Sequence, residues 1–285
     1  MGKMRILLAK TFRFLFKCKC LKRIYFGLHK RIFKPFNLFK DVLIRIKFND
    51  LLFILHIDDW IPANLYFLGE YEKSELKALE KFINEDSIFI DLGANIGLYT
   101  LYASNLIGEN GRIICFEPFA ENFNALTNNI AINNLLNVQA EKLAVGERDG
   151  SIKLYYDMRE KNLGMVSSNY MKDSFSEEVR MVSFDSYFQN KSLNRIDFIK
   201  IDVEGSEYSA LLGMQNILRT YFPSLLIEIS DDYELFDNSE KVHAYLKKLG
   251  YRKYFIDDNG NLSDIEVNKK RKNYIFTIKT FASTK

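Results

Sequence analysis

The sequence predicts an α/β domain built on an open, mostly parallel sheet, and three stretches predict it. Residues 87–97, SIFIDLGANIG, run from an apolar strand-like segment (Ile88, Phe89, Ile90) through Asp91 into a loop with Gly93, Asn95 and Gly97, and on to the helical-looking LYTLYASNLIG. A second apolar run, Arg112 to Phe116, ends in Glu117 and Pro118. A third, residues 197–203, ends around Asp202, and Glu204, Gly205 and Glu207 then begin a helix. Glycines let the backbone come close to a ligand, and free N–H groups at a helix start favour polar or anionic atoms. A nucleotide-type cofactor is the first expectation.

Spacing narrows that expectation. A dinucleotide loop of the form GxGxxG needs glycine at positions 93, 95 and 98, where this chain has Gly93, Asn95 and Leu98. A nicotinamide dehydrogenase is therefore disfavoured. The pattern present is Asp91-x-Gly93-x-x-x-Gly97, with Glu117 twenty residues after Gly97. A parallel second strand brings the Glu117 carboxylate beside the loop, where it accepts both hydroxyls of a ribose.

Taken together, IDLGANIGLYT, FEP at 116–118, LAVG at 143–146 and FIKIDVEGSE at 198–207 resemble, in that order, the FkbM family of class I methyltransferases that use S-adenosylmethionine. The resemblance runs from about Ile57 to the end and leaves the first 40 residues uncovered. It implies a Rossmann-like fold with a seven-stranded, mostly parallel sheet, helices on both faces and a terminal antiparallel hairpin. It also implies S-adenosylmethionine as cofactor, held by Asp91, Gly93, Ala94, Asn95, Gly97, Glu117 and Ala144, and methyl transfer to a hydroxyl of a sugar, glycan or similar small acceptor. Ala144 and Val145 stand where this fold usually contacts adenine, and ordinary strand-end packing is an equal reading for both.

From the start of the chain, the charge is sharply divided. Residues 1–40 hold twelve Lys and Arg and no acid, whereas the other 245 residues carry 28 basic against 37 acidic side chains. Lys10 and Arg13 interrupt the apolar residues of this arm, which excludes a signal-peptide core or a membrane span. A helical wheel sets Lys3, Lys10, Arg13 and Lys17 against Leu8, Phe12 and Leu15, with Arg5 and Lys19 spoiling the apolar side. Two readings stand: a peripheral helix on an anionic membrane surface, or a helix packed on the catalytic domain. Nucleic acid is a weaker partner, because the acidic body repels phosphate. Three cysteines, one of them in an apolar strand, suit a reducing, cytoplasmic setting.

Residues 41–85 form the lead-in to the catalytic domain at 86–285. Residues 41–68 read as β structure, and the next segment as an amphipathic helix with Leu76, Leu79, Phe82 and Ile83 inward. Phe119, Phe123, Leu126 and Ile130 mark a core-facing helix, and NVQAEKLAV a third strand. An insertion at about 147–194 holds two strands, IKLYY and VRMVSF, around a polar stretch with Asn162, Gly164, Ser167 and Ser168 that is expected to select the substrate. SLLIEIS, a helix at 239–249, YRKYFID and NYIFTIKTF complete the sheet.

In an open parallel sheet, ligands lie beyond the carboxyl ends of the strands, which places Asp202, Glu204 and Glu228 in one crevice with Gly93 and Glu117. Asp202 and Glu204 are the candidate general bases, with Lys200 orienting or neutralising them. Glu207 reads as an ordinary helix-start acid. None of His29, His56 and His243 lies at an obvious strand end of the domain. Asp202 and Glu228 are also the oxygen ligands that Mg²⁺ would take, a reading weakened because Ile229 and Ser230, not an Asp-Asn pair, follow Glu228. The alternative to an enzyme is a non-catalytic scaffold of the same fold that docks through its basic arm.

Overall fold

The computed structural model describes residues 2–156, 174–189, 191, 193–229, 236–266 and 273–281. The chain divides into two compact units, one ending at Glu72 and the other beginning at Lys73.

The first unit opens with α1 (Gly2–Leu15), the short helices α2 (Lys19–Lys22) and α3 (Tyr25–Leu28), and a π-helical turn at His29–Phe33. An antiparallel hairpin follows, β1 (Leu43–Phe48) and β2 (Leu51–His56). Its two-residue turn is Asn49-Asp50, both at positive φ, the residue types and backbone that twist a tight hairpin correctly. The expectation of β structure fails beyond the hairpin, because α4 occupies Trp60–Leu68. Asp59 caps it by accepting the Trp60 N–H at 2.7 Å, Pro62 fits its first turn, and Gly69 ends it at φ 69°. These end signals outweigh the local alternation of HIDDWI.

Aromatic rings make the core of this unit. Phe33 lies 4.8 Å from Phe12 and 4.9 Å from Phe39, Phe39 lies 5.1 Å from Phe67, and Tyr25 and Phe16 are buried beside them. The helical wheel of α1 needs correction here. Phe12 turns inward as expected, but Arg13 does too, its guanidinium 4.8 Å over the Tyr66 ring, while Leu15 faces water. Arg5, which spoils the apolar side on paper, reaches the Lys40 carbonyl at 2.7 Å.

The second unit begins with α5 (Lys73–Leu79), β3 (Ile88–Leu92), α6 (Leu98–Ser104), β4 (Arg112–Phe116), α7 (Ala120–Ile132) and β5 (Val138–Glu141). Then come β6 (Ala144–Val145), β7 (Gly150–Tyr156), β8 (Phe175–Val182), α8 (Phe184–Phe188), β9 (Phe198–Ile201), α9 (Glu207–Leu212) and α10 (Gln215–Tyr221). The chain ends with β10 (Ser224–Glu228), α11 (Phe236–Lys248), β11 (Arg252–Ile256), β12 (Leu262–Ser263) and β13 (Asn273–Thr277).

The main sheet has the order β12-β11-β13-β10-β9-β3-β4-β5. Seven of these strands are those expected, and the two-residue β12 adds an eighth at the edge. β5, β4, β3, β9 and β10 run parallel, and β13 pairs antiparallel with both β10 and β11, giving the terminal antiparallel strands. The chain builds outward from β3 to β5 and then returns to β9 on the other side of β3. This reversal opens the crevice at the carboxyl ends of β3, β4 and β9. Ile90, Leu92, Ile114, Phe116, Ile199, Ile201 and the residues packed on them form the core on one face.

The expected third strand, NVQAEKLAV, is two strands in two sheets. β5 ends at Glu141, and Ala144–Val145 pair in parallel with Met181–Val182 of β8 in a three-stranded sheet ordered β6-β8-β7. Gly146 continues that pairing through its N–H to the Val182 carbonyl, and its missing Cβ would meet the Met181 sulfur at 2.4 Å. β7 and β8 are the two insertion strands, paired from Gly150↔Met181 to Tyr156↔Phe175. Asn162, Gly164, Ser167 and Ser168 lie outside the described residues.

Candidate active site

Three strand ends converge at the crevice. Asp91 in β3 sits beside Lys200 of β9 in the parallel register, so both side chains leave the same face of the sheet. The Lys200 Nζ lies 3.7 Å from Asp91 Oδ1, donates to Asp202 Oδ2 at 3.1 Å and to the Gly93 carbonyl at 3.2 Å, and stands 4.9 Å over the Tyr99 ring. Asp91 is fully buried and its Oδ2 accepts from the Thr100 hydroxyl at 2.7 Å. Burial pushes its carboxyl above the ordinary range, with Lys200 and then Thr100 pulling it back. Asp202 keeps a quarter of its side chain exposed and is the reachable member of this trio.

The loop between β3 and α6 is held from within. Gly93 and Ala94 both donate their N–H to the Phe116 carbonyl at 3.0 Å, Asn95 N–H donates to Glu117 Oε2 at 2.8 Å, and Ile96 N–H to Asn95 Oδ1 at 2.8 Å. Gly97 N–H closes back on Ala94. The N–H groups of loop residues 93–97 are thus engaged within the protein. Its glycines also answer to protein neighbours. A Cβ on Gly93 would lie 1.7 Å from the Asp202 carbonyl oxygen, and one on Gly97 would meet Leu126 and Leu101 at 2.7 and 2.9 Å. Asn95 itself takes φ 51°, a left-handed backbone that asparagine tolerates better than most residues.

Glu117 lies where strand arithmetic puts it. Its Oε2 takes the Asn95 N–H, and its Oε1 takes the Phe119 N–H at 2.9 Å. Burial raises its pKa to about 7, against the pull of those two N–H groups. Each carboxylate oxygen keeps a second lone pair, so the group is able to accept two more hydrogen bonds from a diol.

Glu204 and Gly205 follow Asp202 with φ 45° and 88°, a turn that sets Glu204 in a strained left-handed backbone at the crevice edge. Glu207, read from sequence as a helix-start acid, anchors this turn: its Oε1 accepts the Gly205 N–H at 3.0 Å and its Oε2 the Asn238 amide of α11 at 2.6 Å. Ala144 is buried in β6 beside Met181, and Val145 belongs to the main core. Glu228 ends β10 opposite Asn273. Among the described residues no three His, Cys, Asp or Glu side chains gather as a metal site.

Sequence reasoning passed over Tyr99, Thr100, Asn129 and Asn238. Thr100 interrupts an otherwise apolar helix face, and Asn129 sits fully buried in α7 with its amide on the Ile96 carbonyl at 3.0 Å, fastening the loop. A polar residue amid apolar helical positions was the signal available for both.

The family described as "Methyltransferase FkbM domain" matches residues 91–253. "Methyltransferase 1" of Beauveria bassiana is 27% identical over 165 residues, covering 52% of this chain and 66% of that protein. "Hexuronic acid methyltransferase AglP" of Haloferax volcanii is 24% identical over 151 residues, covering 52% of this chain and 59% of the relative. The chain thus spans under two thirds of the length of these relatives. A crystal structure of methyltransferase FkbM from Methylobacillus flagellatus aligns at 16% identity with a TM-score of 0.46, covering 68% of this chain and 44% of the other. The family match takes in the whole β3 loop, Glu117 and the Asp202 turn, more than half of the sequence, and the chain belongs to the FkbM methyltransferase family.

Proposed function

We propose that the protein is an S-adenosylmethionine-dependent O-methyltransferase acting on a hydroxyl of a sugar, glycan or similar small acceptor. One observation carries the cofactor reading: the buried Glu117 carboxylate, tied to the loop through Asn95, keeps acceptor capacity for a ribose diol. Membership of a methyltransferase family supports the reaction, and the relative named for hexuronic acid supports the acceptor class.

The residues present suit this cofactor. Glu117 would hold the ribose, and the loop from Gly93 to Gly97 would wall the adjoining space, its shape fixed by Phe116, Glu117 and Asn129. The bound sulfonium supplies the methyl group and its own leaving group. The chain supplies alignment, which accounts for much of the rate of a two-centre transfer, and a proton acceptor. Asp202 takes that second role. Lys200 holds one of its oxygens and leaves the other to receive the hydroxyl proton, so Lys200 acts as a positioning residue.

Calorimetric titration with S-adenosylhomocysteine tests the pocket. Glu117→Ala removes two charge-assisted acceptors and is expected to weaken binding by about 100-fold or more. Wild-type binding should also depend on pH. Ribose recognition needs the ionised carboxylate, and burial keeps the free protein's Glu117 protonated up to about 7. Affinity should rise with pH below that value and level off above it, with proton release on binding near about pH 6 that fades by about pH 8. Tight binding that ignores both the substitution and the pH would remove Glu117 from the pocket. Transfer of a labelled methyl group to pooled glycans, lost in Asp202→Asn, tests the reaction itself.

A further inference from the structure

We propose that the outward face of α1, with the segment through Phe36, docks on an anionic lipid bilayer. An ordinary amphipathic helix spends its large apolar side chains on the core. α1 buries Ala9 and turns Phe12 inward, yet leaves Met4, Leu7 and Phe14 exposed by 69%, 66% and 71%. Ile24, Phe26, Ile32 and Phe36 continue the exposure, Phe36 at 73%. Eight of the fourteen large hydrophobics exposed among the described residues fall between Met4 and Phe36, far too dense for chance scatter over the surface.

The cations sort themselves in a matching way. Arg5, Arg13 and Lys22 are used inside the unit, on the Lys40 carbonyl, the Tyr66 ring and Glu70. The other nine basic side chains of residues 1–40 are exposed, and no acid lies among those residues. From α1 into the turn after Leu15 the order is regular. Lys3, Lys10 and Lys17 follow one another at seven residues, Leu7 and Phe14 do likewise, and each apolar residue stands four after one lysine and three before the next. Within α1 those offsets put Lys3, Leu7, Lys10 and Phe14 side by side along one face. Such a face suits a bilayer: the apolar tips enter the acyl boundary while the lysines extend to phosphate headgroups. A nucleic acid offers the phosphates without the hydrocarbon. Among the described residues no helix is long and apolar enough to cross a membrane, so the contact is peripheral.

The test is vesicle flotation of the full chain with phosphatidylcholine alone and with phosphatidylcholine mixed with phosphatidylglycerol. Wild type should prefer the mixed vesicles by about tenfold or more, and high salt should reduce that preference. Leu7→Ser with Phe14→Ser should weaken binding by about tenfold, and Lys3→Glu, Lys10→Glu and Lys17→Glu together should abolish the preference. Far-ultraviolet circular dichroism and melting should stay unchanged in both sets, because every substituted side chain is exposed. Equal weak binding to both vesicles overturns the proposal. So does anionic binding that the serine pair leaves intact, which marks plain charge adsorption, or a dimer in light scattering that the serine pair dissociates, which assigns the face to a second copy.

Discussion

Gly93→Ala is expected to destabilise the fold by about 3–5 kcal/mol, a large share of the roughly 5–15 kcal/mol that holds an ordinary domain together. The argument rests on two separate strains. Gly93 takes φ 77°, a left-handed conformation that an L side chain adopts at a penalty. Its added Cβ would then stand 1.7 Å from the Asp202 carbonyl oxygen and 2.9 Å from the carbonyl carbon. Neither neighbour is a side chain that rotates away. The Asp202 N–H donates to the Leu92 carbonyl at 3.0 Å, so β3 and β9 are bonded together immediately beside the clash and must part to relieve it. Urea unfolding followed by circular dichroism measures the loss. Gly27→Ala is the control, in α3 with nothing within 4 Å of its added Cβ, and should shift stability by no more than about 1 kcal/mol. A Gly93→Ala protein that unfolds like wild type but no longer binds S-adenosylhomocysteine would return the glycine to ligand access and reject the packing role.

That contrast shows where the sequence was readable. The strand, loop and helix around Gly93 were legible because an apolar run, a glycine pair and a helical repeat are local signals, and the place of Glu117 followed from parallel-strand spacing. The reason for the glycine was not legible, since the atom that demands it belongs to Asp202, more than a hundred residues later. Lys200 shows the same limit. β9 is buried throughout, so the alternation of Ile199, Lys200 and Ile201 says nothing about which face carries a partner. α4 was hidden by a β-like neighbourhood, and its Asp59, Pro62 and Gly69 end signals were there to outweigh it. On α1 two apolar stripes compete, and a helical wheel does not tell which one meets the aromatic core. The break between Glu141 and Ala144 leaves no local mark, because it depends on β8 arriving from the insertion to pair with β6.

Lys200→Met should lower stability by about 3–5 kcal/mol at neutral pH, through Asp91 more than through any contact of its own. Asp91 has no exposure, its Oδ1 accepts no hydrogen bond among the described residues, and the cation 3.7 Å away is what offsets its charge. Burial already raises the Asp91 carboxyl, and Lys200 is the strongest pull downward, so its removal lets the folded-state pKa climb further. A carboxyl that folding raises loses stability as pH rises from its unfolded value of 3.8 and reaches the full deficit above its folded value. The difference between Lys200→Met and wild type should therefore be largest at neutral pH and narrow as the pH falls through the raised folded-state value, below which Asp91 is protonated in both folded proteins. Asp91→Asn added to Lys200→Met should restore at least about 2 kcal/mol, because the neutral amide needs no cation and still accepts the Thr100 hydroxyl. Strict additivity of the two substitutions, or a deficit that does not change with pH, would mean that Lys200 acts through Asp202 and the Gly93 carbonyl alone. In that case Lys200 serves the crevice edge directly, and its loss should weaken methyl transfer as much as Asp202→Asn does.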